Sequence, residues 1–101
     1  MADFVKVAAA AELDSGSGRT CDVNGTPVAV FNVDGAVHAI DNVCLHRQGP
    51  LGEGALEGKQ VTCPWHGWQY DVTSGACLTR PGTGVKRYES KVEEGNILVA
   101  G

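Results

Sequence analysis

Short runs of alternating apolar and polar residues, separated by glycine-containing turns, recur along the whole chain. Successive side chains of a strand point to opposite faces, so these runs predict half-buried strands. The dipeptides Asn24-Gly25 and Asp34-Gly35 are strong signals for two-residue hairpin turns. Further turns are predicted at Thr73–Gly75 and Glu94–Asn96, with a helical turn over Ala8–Leu13 and a loop over Asp14–Gly18. The predicted strand segments are Phe4–Val7 (at a sheet edge), Arg19–Val23, Pro27–Val33, Ala36–Asp41, Val61–Thr62, Gln69–Val72, Ala76–Thr79, Val85–Val92 and Ile97–Val99.

This succession of short strands predicts an all-β fold. Turn signals about every 8–12 residues are typical of a small antiparallel β-sandwich or incomplete barrel, and no long helical period is present. The chain's length of 101 residues favours a single domain over 1–101. The stretch from 42 to about 84 breaks the regular pattern, so we interpret it as a subdomain inserted between strands of a base sandwich.

The composition excludes several classes of protein. A hydrophobic content of 43% is too high for a disordered chain. The net charge of −4 argues against nucleic acid as a partner, and it is compatible with docking to a basic patch on a redox partner. There is no apolar run near the roughly 18 residues of a membrane span, and the first residues lack the pattern of a secretory signal, so we expect neither a membrane span nor secretion. The four cysteines are therefore expected in a reducing, cytoplasmic compartment, where metal binding is favoured over disulfides.

Two short motifs carry the chemistry of the chain. Cys44-Leu45-His46 has the pattern Cys-x-His, and Cys63-Pro64-Trp65-His66 has the pattern Cys-x-x-His, with residues 47–62, sixteen in all, between them. Together they supply two thiolates and two imidazoles from two loops. This ligand set suits a [2Fe–2S] cluster in which two histidines replace two cysteines on one iron. Such a cluster transfers one electron at a time.

Two other uses of these residues fit their arrangement less well. Two Cys and two His also make a tetrahedral zinc site, but here each Cys is paired with a His and no recognition helix follows. A Cys–His hydrolase lacks an orienting acid and an oxyanion hole. His38 lies in a predicted strand away from both motifs, and we interpret it as structural. Cys21 and Cys77 also fall on predicted strands with apolar neighbours, where a buried thiol behaves as a small hydrophobe.

The motifs resemble those of Rieske-type [2Fe–2S] proteins. The matching segments are Cys44–Arg47 and Cys63–Trp68, and the loop that contains Pro81 resembles the proline loop that covers the cluster in that family. The resemblance extends over essentially the whole chain. It implies that Cys44 and Cys63 bind one iron and that His46 and His66 bind the other, with the outer histidine edges near solvent.

Departures from the high-potential members of this family predict a low reduction potential. Gly49 and Trp65 stand where Rieske proteins of respiratory cytochrome bc complexes carry two further cysteines joined by a disulfide. Trp68 stands where those proteins have a serine that donates to a bridging sulfide, whereas Tyr70 matches a tyrosine that bonds a cysteine sulfur. Gly67 lets the backbone approach the sulfides, as does Gly49. With one hydroxyl donor missing, we expect a potential near about −150 mV.

Charge and exposure add to this expectation. Two ferric ions, two sulfides, two thiolates and two neutral imidazoles sum to zero, so reduction makes the cluster −1 in a chain that already carries −4. Arg47 resembles an arginine of oxygenase Rieske domains and is a candidate contact for a partner. Trp65 and Trp68 flank His66, where we expect them to shield the cluster and shape the docking rim.

The resemblance implies a monomeric, soluble ferredoxin of a multicomponent aromatic-ring dioxygenase system. Such a carrier takes electrons from an NAD(P)H-dependent flavin reductase and passes them to a terminal Rieske oxygenase. The chain cannot itself be that oxygenase, because O₂ activation there needs a 2-His-1-carboxylate iron site and only His38 remains after the cluster ligands are assigned. An alternative is the small Rieske-like subunit of NAD(P)H-dependent nitrite reductase, many of which lack some ligands.

Overall fold

The computed structural model describes residues 4–44, 49–65 and 67–100. Within them the chain forms ten antiparallel strands and two single 3₁₀ turns, Ala10–Glu12 and Leu51–Glu53. None of the helical segments there is long and apolar enough to cross a membrane. The strands are β1 (Phe4–Ala9), β2 (Ser17–Val23), β3 (Thr26–Val33), β4 (Ala36–Asp41), β5 (Ala55–Glu57), β6 (Gln60–Thr62), β7 (Gln69–Asp71), β8 (Arg87–Tyr88), β9 (Ser90–Glu93) and β10 (Asn96–Ala100).

The strands form three sheets. The first has the order β1-β10-β9, the second β2-β3-β4-β8 and the third β5-β6-β7. The first two sheets enclose one core and build the base of the molecule, and the third carries the segments around both cysteine motifs. β1 lies at a sheet edge as predicted, with a bulge between Lys6 and Ala8. The all-β fold predicted from the sequence is confirmed.

Three hairpins follow the turn signals in the sequence. In each, two successive residues have positive φ, the conformation that a type I′ turn requires and that glycine adopts without cost. The turn residues and their φ angles are Asn24 (51°) and Gly25 (88°), Asp34 (51°) and Gly35 (92°), and Glu94 (52°) and Gly95 (76°). These turns fix the register of the strand pairs they connect.

Strand β3 is the wall between two cores. Residues 28–31 are all fully buried, because the strand is covered on both faces. Val28 and Val30 face the base core between the first two sheets. Ala29 and Phe31 face a second core, which lies under the cysteine loops. Period-2 alternation therefore places consecutive β3 residues in different cores.

Three predictions for individual segments need correction. The single strand predicted over Val85–Val92 is two short strands in different sheets: β8 pairs with β4, the chain then changes sheet at Glu89, and β9 pairs with β10. The strand predicted over Ala76–Thr79 makes only isolated bridges, because the Leu78 amide bonds to strand β7 whereas the Cys77 amide bonds to the Thr83 carbonyl of the third loop. The helical turn over Ala8–Leu13 shrinks to Ala10–Glu12.

Strand β5 was missed by the sequence analysis. It has three residues, of which only Leu56 is apolar and half-buried, so its pattern is too short to be seen. The boundaries predicted for the inserted subdomain, 42 to about 84, stay a prediction. The third sheet, over residues 55–71, lies inside them.

Candidate metal centre

Cys44 follows strand β4 and begins a closed loop, the first cysteine loop (residues 43–50). Its backbone N–H donates to the Gly49 carbonyl at 3.0 Å, and Val43 bridges Pro50. Leu45, His46, Arg47 and Gln48 lie outside the described residues. The hydrogen bond and the bridge on either side of them close the loop at its base, so Cys44 is held at the end of a regular strand.

The second cysteine loop (residues 63–68) is built in the same way after strand β6. The Cys63 backbone N–H donates to the Trp68 carbonyl at 2.7 Å, and the Gly67 N–H donates to the Cys63 carbonyl at 3.2 Å. Gly67 has φ +76°, a conformation that residues with a side chain rarely adopt. His66 lies outside the described residues. The turn therefore depends on glycine next to the predicted histidine ligand.

The two cysteine side chains meet in the second core. Both thiols are buried and neither belongs to a disulfide, and they lie close enough to hydrogen-bond to each other. Burial raises the pKa of the Cys63 thiol; a hydrogen bond from the Trp65 backbone N–H lowers it, and the neighbouring Cys44 thiol raises it again. Two adjacent thiolates in an apolar site need a neighbouring cation to balance their charge.

Tyr70 contributes a hydroxyl to the same site. Its oxygen lies 3.3 Å from the Cys44 sulfur, and the whole side chain is buried. The resemblance to Rieske proteins implies this contact between Tyr70 and a cysteine sulfur. Hydroxyl and N–H donors to sulfur stabilise negative charge there, so Tyr70 and the Trp65 N–H both favour thiolate ligands.

Gly49 lies so close to the second cysteine loop that any side chain at this position would collide with it. A Cβ atom at this position would lie 2.7 Å from the Cys63 sulfur and 3.0 Å from the Trp65 Cβ. The second distance is shorter than the 3.5–4.5 Å that separates the Cβ atoms of a disulfide, so a Cβ at position 49 would be crowded against that of Trp65. Positions 49 and 65 are therefore neighbours, as the comparison with disulfide-containing Rieske proteins implied, but glycine here lets the first loop approach the ligand sulfur.

The two tryptophans have different surroundings. Trp65 has 51% of its surface exposed, so it lies at the rim of the site. Trp68 is half-buried and packs against the second core. Their expected docking and shielding roles remain predictions, and these exposures are compatible with a rim position for Trp65 and a covering position for Trp68.

A third loop (residues 77–84) carries Pro81 and is attached to the first residue of strand β7, which follows the second cysteine loop. The Leu78 N–H donates to the Gln69 carbonyl at 2.8 Å, and the Gln69 N–H donates to the Thr79 hydroxyl at 2.8 Å. At its base the Cys77 N–H donates to the Thr83 carbonyl. Pro81 is exposed at the outer end of this loop. The predicted proline loop is thus adjacent to the strand that follows Trp68.

Asn42 is a site residue that the sequence analysis missed. It is 7% exposed, and its side-chain oxygen accepts hydrogen bonds from the Thr20 hydroxyl at 3.0 Å and from the Gly52 N–H at 2.8 Å. Its own carbonyl accepts from the Leu51 N–H at 2.7 Å. These bonds fasten the base of the first cysteine loop to strand β2. The signal in the sequence that could have identified Asn42 is its position as a polar residue between strand β4 and the first cysteine motif.

The remaining cysteines are buried as predicted. Cys21 lies in the base core, where burial raises its pKa and Arg19 lowers it. Cys77 lies in the second core together with Cys44 and Cys63. Within the described part of the chain, no group of three or more His, Cys, Asp or Glu side chains is arranged to hold a metal ion, and two of the four predicted ligands lie outside that part.

The described residues fit a [2Fe–2S] cluster. They provide two adjacent buried thiols, a hydroxyl that donates to the Cys44 sulfur once that sulfur is a thiolate, an N–H that donates to the Cys63 sulfur, and loops with glycine where the backbone must come close. Thiolates are the preferred protein ligands of iron–sulfur clusters. A purely apolar core at this position would not need the donors that surround the two sulfurs.

Comparison with known proteins connects this geometry with a family. The model of the Rieske [2Fe–2S] domain matches residues 3–89 of the chain. The ferredoxin component of the naphthalene 1,2-dioxygenase/salicylate 5-hydroxylase systems from a Ralstonia species is 36% identical over 78 residues, which make up 76% of this chain and 75% of that protein.

Two solved structures share the fold over nearly their full length. A chain in the complex of reduced oxygenase and oxidised ferredoxin in carbazole 1,9a-dioxygenase gives a TM-score of 0.89 at 32% identity, covering 97% of this chain and 93% of that chain. The putative NADH-dependent nitrite reductase small subunit from Mycobacterium tuberculosis gives a TM-score of 0.91 at 28% identity, covering 100% and 96%. The family match spans most of the sequence and both cysteine loops, so the chain belongs to the Rieske [2Fe–2S] domain family.

Proposed function

We propose that this protein is a low-potential Rieske ferredoxin of a ring-hydroxylating dioxygenase system. It takes single electrons from an NAD(P)H-dependent flavin reductase and delivers them to a terminal oxygenase, as a monomer in the cytoplasm. The observation that carries the proposal is the pair of buried thiols, Cys44 and Cys63, placed by two glycine-containing loops next to an exposed rim. Relatives named as ferredoxin components of dioxygenase systems support the same role.

When bound, the cluster supplies reversible one-electron chemistry. Cys44 and Cys63 would hold one iron, and His46 and His66 the other. Tyr70 and the Trp65 N–H would stabilise charge on the two sulfurs. Trp68 would exclude water from the buried side, while the exposed Trp65 would contact a docked partner.

The low potential follows from what surrounds the thiols. Trp68 replaces a hydroxyl donor of high-potential relatives, and Gly49 and Trp65 replace their paired cysteines. Fewer donors stabilise the more negative, reduced state less, so the potential falls. A donor with a low potential can reduce another Rieske centre of similar potential in a terminal oxygenase.

A redox titration of the anaerobically purified protein, followed by EPR, tests the proposal. We expect a rhombic Rieske signal that appears in a one-electron step near about −150 mV. A midpoint well above zero would contradict the low-potential assignment. Colourless, zinc-loaded protein without a signal would remove the electron-transfer function altogether.

Histidine variants test the ligand assignment separately. His46→Cys or His66→Cys should abolish the Rieske EPR and visible spectrum, because the imidazole ligands create it. His38→Cys is the matched control: His38 is half-buried on strand β4 and paired with Phe31, outside both loops. An unchanged spectrum in either of the first two variants would remove that histidine from the ligand set.

The small subunit of NAD(P)H-dependent nitrite reductase is a second candidate. The full-length similarity to the putative subunit from Mycobacterium tuberculosis favours it. That role requires a stable complex with a large catalytic subunit rather than a diffusing carrier. Purification of the tagged protein from its own cell decides between the two: co-purification with a sirohaem protein would support the subunit, and isolation as a monomer supports the ferredoxin.

A further inference from the structure

The turn between strands β2 and β3 contains an asparagine followed by a glycine, Asn24-Gly25. It is the only such pair in the sequence, because the other three asparagines precede valine or isoleucine. Glycine has no side chain to block the approach of its backbone nitrogen to the side-chain amide carbon of the preceding asparagine. Both residues are exposed, with φ angles of 51° and 88°. The Asn24 amide is therefore accessible to that nitrogen and to water.

A carboxylate lies on the proton that this nitrogen must lose. The Gly25 N–H donates a hydrogen bond to Asp22 Oδ2 at 3.2 Å. A backbone nitrogen becomes a nucleophile only when its proton leaves, and a side chain within about 2.6–3.2 Å can accept that proton as a general base. The turn thus brings together a nucleophile, an amide that it can attack and a base.

The turn between strands β3 and β4 has the same shape without the base. Asp34 and Gly35 have φ angles of 51° and 92°, close to those of the first turn. The Gly35 N–H donates to Asn32 Oδ1 at 2.8 Å. Asn32 stands three residues before its glycine, as Asp22 does in the first turn. An amide oxygen accepts a hydrogen bond but does not take up the proton, so the two turns differ in chemistry rather than in shape.

The strands that the first turn joins hold Asn42 from two sides. The Asn42 side-chain oxygen accepts from the Thr20 hydroxyl on β2 at 3.0 Å, and the Asn42 N–H donates to the Pro27 carbonyl on β3 at 3.4 Å. The two-residue turn fixes how β2 pairs with β3, with Asp22 opposite Pro27. A change in the turn would therefore shift Thr20 and Pro27 relative to each other and disturb the base of the first cysteine loop.

We propose that Asn24 is a site of self-catalysed deamidation with Asp22 as the base, and that the isoaspartate product weakens the contacts of Asn42. The Gly25 nitrogen bonds to the Asn24 amide carbon while Asp22 takes the proton of that nitrogen. The carbon–nitrogen bond of the side-chain amide then breaks, and its nitrogen leaves with the proton as ammonia. Water opens the resulting cyclic succinimide, so that one water is consumed, one ammonia is released and no oxidant or reductant takes part.

The two products of ring opening differ in their backbone. Water at one carbonyl carbon gives aspartate, and water at the other gives isoaspartate. Either product replaces a neutral amide with a carboxylate, which makes the net charge one unit more negative than −4. In isoaspartate the main chain runs through the side-chain carbon, which adds one backbone atom to the turn. A two-residue turn of type I′ does not accommodate that atom, so the pairing of Asp22 with Pro27 should open.

A second Asn–Gly pair, introduced by Asp34→Asn, tests the role of the base within one molecule. This substitution gives the β3–β4 turn the same reactive pair next to the neutral Asn32 side chain. The protein is incubated at neutral pH, and deamidation at both turns is followed by mass spectrometry of proteolytic peptides. We expect Asn24 to react at least about tenfold faster than the introduced site, because a positioned base contributes about 10²–10⁴ in enzymes and Asp22 lies at the far limit of hydrogen-bond distance. Equal rates, or a slower rate at Asn24, would overturn the proposal.

Asp22→Asn removes the base and keeps an oxygen that can accept the Gly25 N–H. We expect deamidation at Asn24 to slow by at least about tenfold in this variant. Asp14→Asn is the matched control, since it removes the same charge from an exposed side chain outside the turn and should leave the rate at Asn24 unchanged. An unchanged rate in Asp22→Asn would contradict the assignment of the base.

The effect on Asn42 rests on the proposed cluster-binding function and is measured as loss of iron. The more acidic fraction of aged protein, which contains both products, is isolated by ion exchange and mixed with an iron chelator. We expect iron to leave this fraction roughly two- to tenfold faster than it leaves the unmodified protein, the range that corresponds to loss of one ordinary hydrogen bond.

Asn24→Asp is the control for charge, because it carries the aspartate product on an unaltered backbone. It should lose iron at the wild-type rate. Faster loss in this variant would assign the effect to charge and contradict the role of the backbone, and equal rates in all three proteins would overturn the connection to the first cysteine loop. The mass-spectrometric comparison of the two turns needs no cluster, so failure of the electron-carrier function would leave that result intact.

Discussion

The two cores of this molecule are held together in different ways. The base core is lined mainly by aliphatic side chains of regular strands, with ladders of backbone hydrogen bonds around it. The second core contains three of the four cysteines, together with Tyr70 and Phe31, and much of its boundary is loop. Burial of aliphatic surface tolerates exchange of one side chain for another of similar volume. The conformation of a loop, by contrast, depends on individual residues that cannot be exchanged for others.

This difference explains why the molecule needs both parts. Strand β3 contributes to the two cores at once, so the base provides a rigid wall for the second core. The cysteine loops are then fixed by isolated contacts: the Asn42 bonds, the bare Gly49 and the loop-closing amides. A bound cluster adds its own binding free energy to this part, because the unfolded chain cannot form the site.

The largest expected effect comes from filling the space at Gly49. Gly49→Ala would place a methyl group 2.7 Å from the Cys63 sulfur and 3.0 Å from Trp65. Both neighbours must move, and because overpacking of a buried site costs about 1–3 kcal/mol, the ligand sulfur should be displaced. We expect most of the cluster to be lost, measured as iron per protein and visible absorbance, while far-UV circular dichroism still shows the base sandwich.

Gly58→Ala is the matched control for that substitution. Gly58 lies in the turn between β5 and β6 with φ +60°, and a Cβ there would meet no atom within 4 Å. The free energy of unfolding of this variant should fall only by the backbone strain, about 1–2 kcal/mol, and the variant should keep its cluster. Equal iron contents in the two variants would mean that the close approach at Gly49 has no part in cluster binding.

The second prediction compares two asparagines whose side chains each make two hydrogen bonds, Asn42 at the first cysteine loop and Asn32 in the base. Asn42→Ala leaves the Thr20 hydroxyl and the Gly52 N–H without their buried acceptor. An unsatisfied buried polar group costs about 1–3 kcal/mol, so we expect the free energy of unfolding to fall by about 2–3 kcal/mol. Denaturant unfolding, monitored separately at the cluster absorbance and by far-UV circular dichroism, measures the loss. The cluster signal should be lost at the lower denaturant concentration.

Asn32→Ala provides the comparison in the base. Asn32 donates to the Leu13 carbonyl and accepts from the Gly35 N–H, both at 2.8 Å, but it is only half-buried. Water can replace these partners, so the loss should be about 1 kcal/mol, with both signals shifted together. If Asn42→Ala also shifted both signals together by the same amount, the cysteine loops would not be a separately sensitive part of the fold.

Much of the base could be predicted from the sequence because its signals are local. The hairpin at Asp34-Gly35 and the alternation of the flanking strands define β3 and β4 to within one residue. The division of 85–92 between two sheets could not be seen, because one alternating run looks the same whether it pairs with one neighbour or two. The sheet change at Glu89 is set by tertiary pairing of Tyr88 with Ala39 and of Ser90 with Val99.

Prediction of the candidate metal centre from the sequence is limited in the same way, because local patterns do not reveal tertiary contacts. The motif residues Cys44 and Cys63 and the tyrosine at 70 were found from spacing and resemblance, and the structure places all three in one core. Asn42 was missed, because its role is created by two contacts, with Thr20 and Gly52, that are distant or invisible in the sequence pattern. The buried position of Cys77 in the same core likewise results from packing and not from a strand.

The third prediction concerns pH and the base of the molecule. Burial, with the hydrogen bond to Asp41 and the charge of that carboxylate, raises the pKa of Tyr88 to about 12; the two oxygen atoms are 2.7 Å apart. The folded state therefore holds the phenol proton more tightly than the unfolded state, where the pKa is near 10. The resulting stabilisation is complete below pH 10 and is lost as pH rises through about 12.

Comparison of the wild type with Tyr88→Phe measures this contribution. We expect the difference in unfolding free energy between the two proteins to shrink by up to about 2 kcal/mol between pH 9 and pH 12. Working with the difference removes other groups that titrate in this range. A difference that stays constant with pH would show that Asp41 does not hold the phenol proton.

The smallest expected effect separates the electronic role of a tyrosine from its structural role. The hydroxyl of each tyrosine contacts an ionisable group. Tyr70 lies 3.3 Å from the Cys44 sulfur, and Tyr88 donates to the Asp41 carboxylate. Tyr70→Phe keeps the buried ring but removes the donor to the sulfur, and a hydrogen bond worth about 0.5–1.5 kcal/mol corresponds to roughly 20–60 mV for a one-electron couple. The midpoint potential should therefore fall by that amount, because the donor stabilises the reduced, more negative cluster more than the oxidised one.

Tyr88→Phe destabilises the base without touching a ligand, so its potential should match the wild type. Equal potentials in all three proteins would mean that the Tyr70 hydroxyl contributes packing alone, and a shift in both variants would mean that the base and the metal centre are coupled more closely than their separate cores suggest.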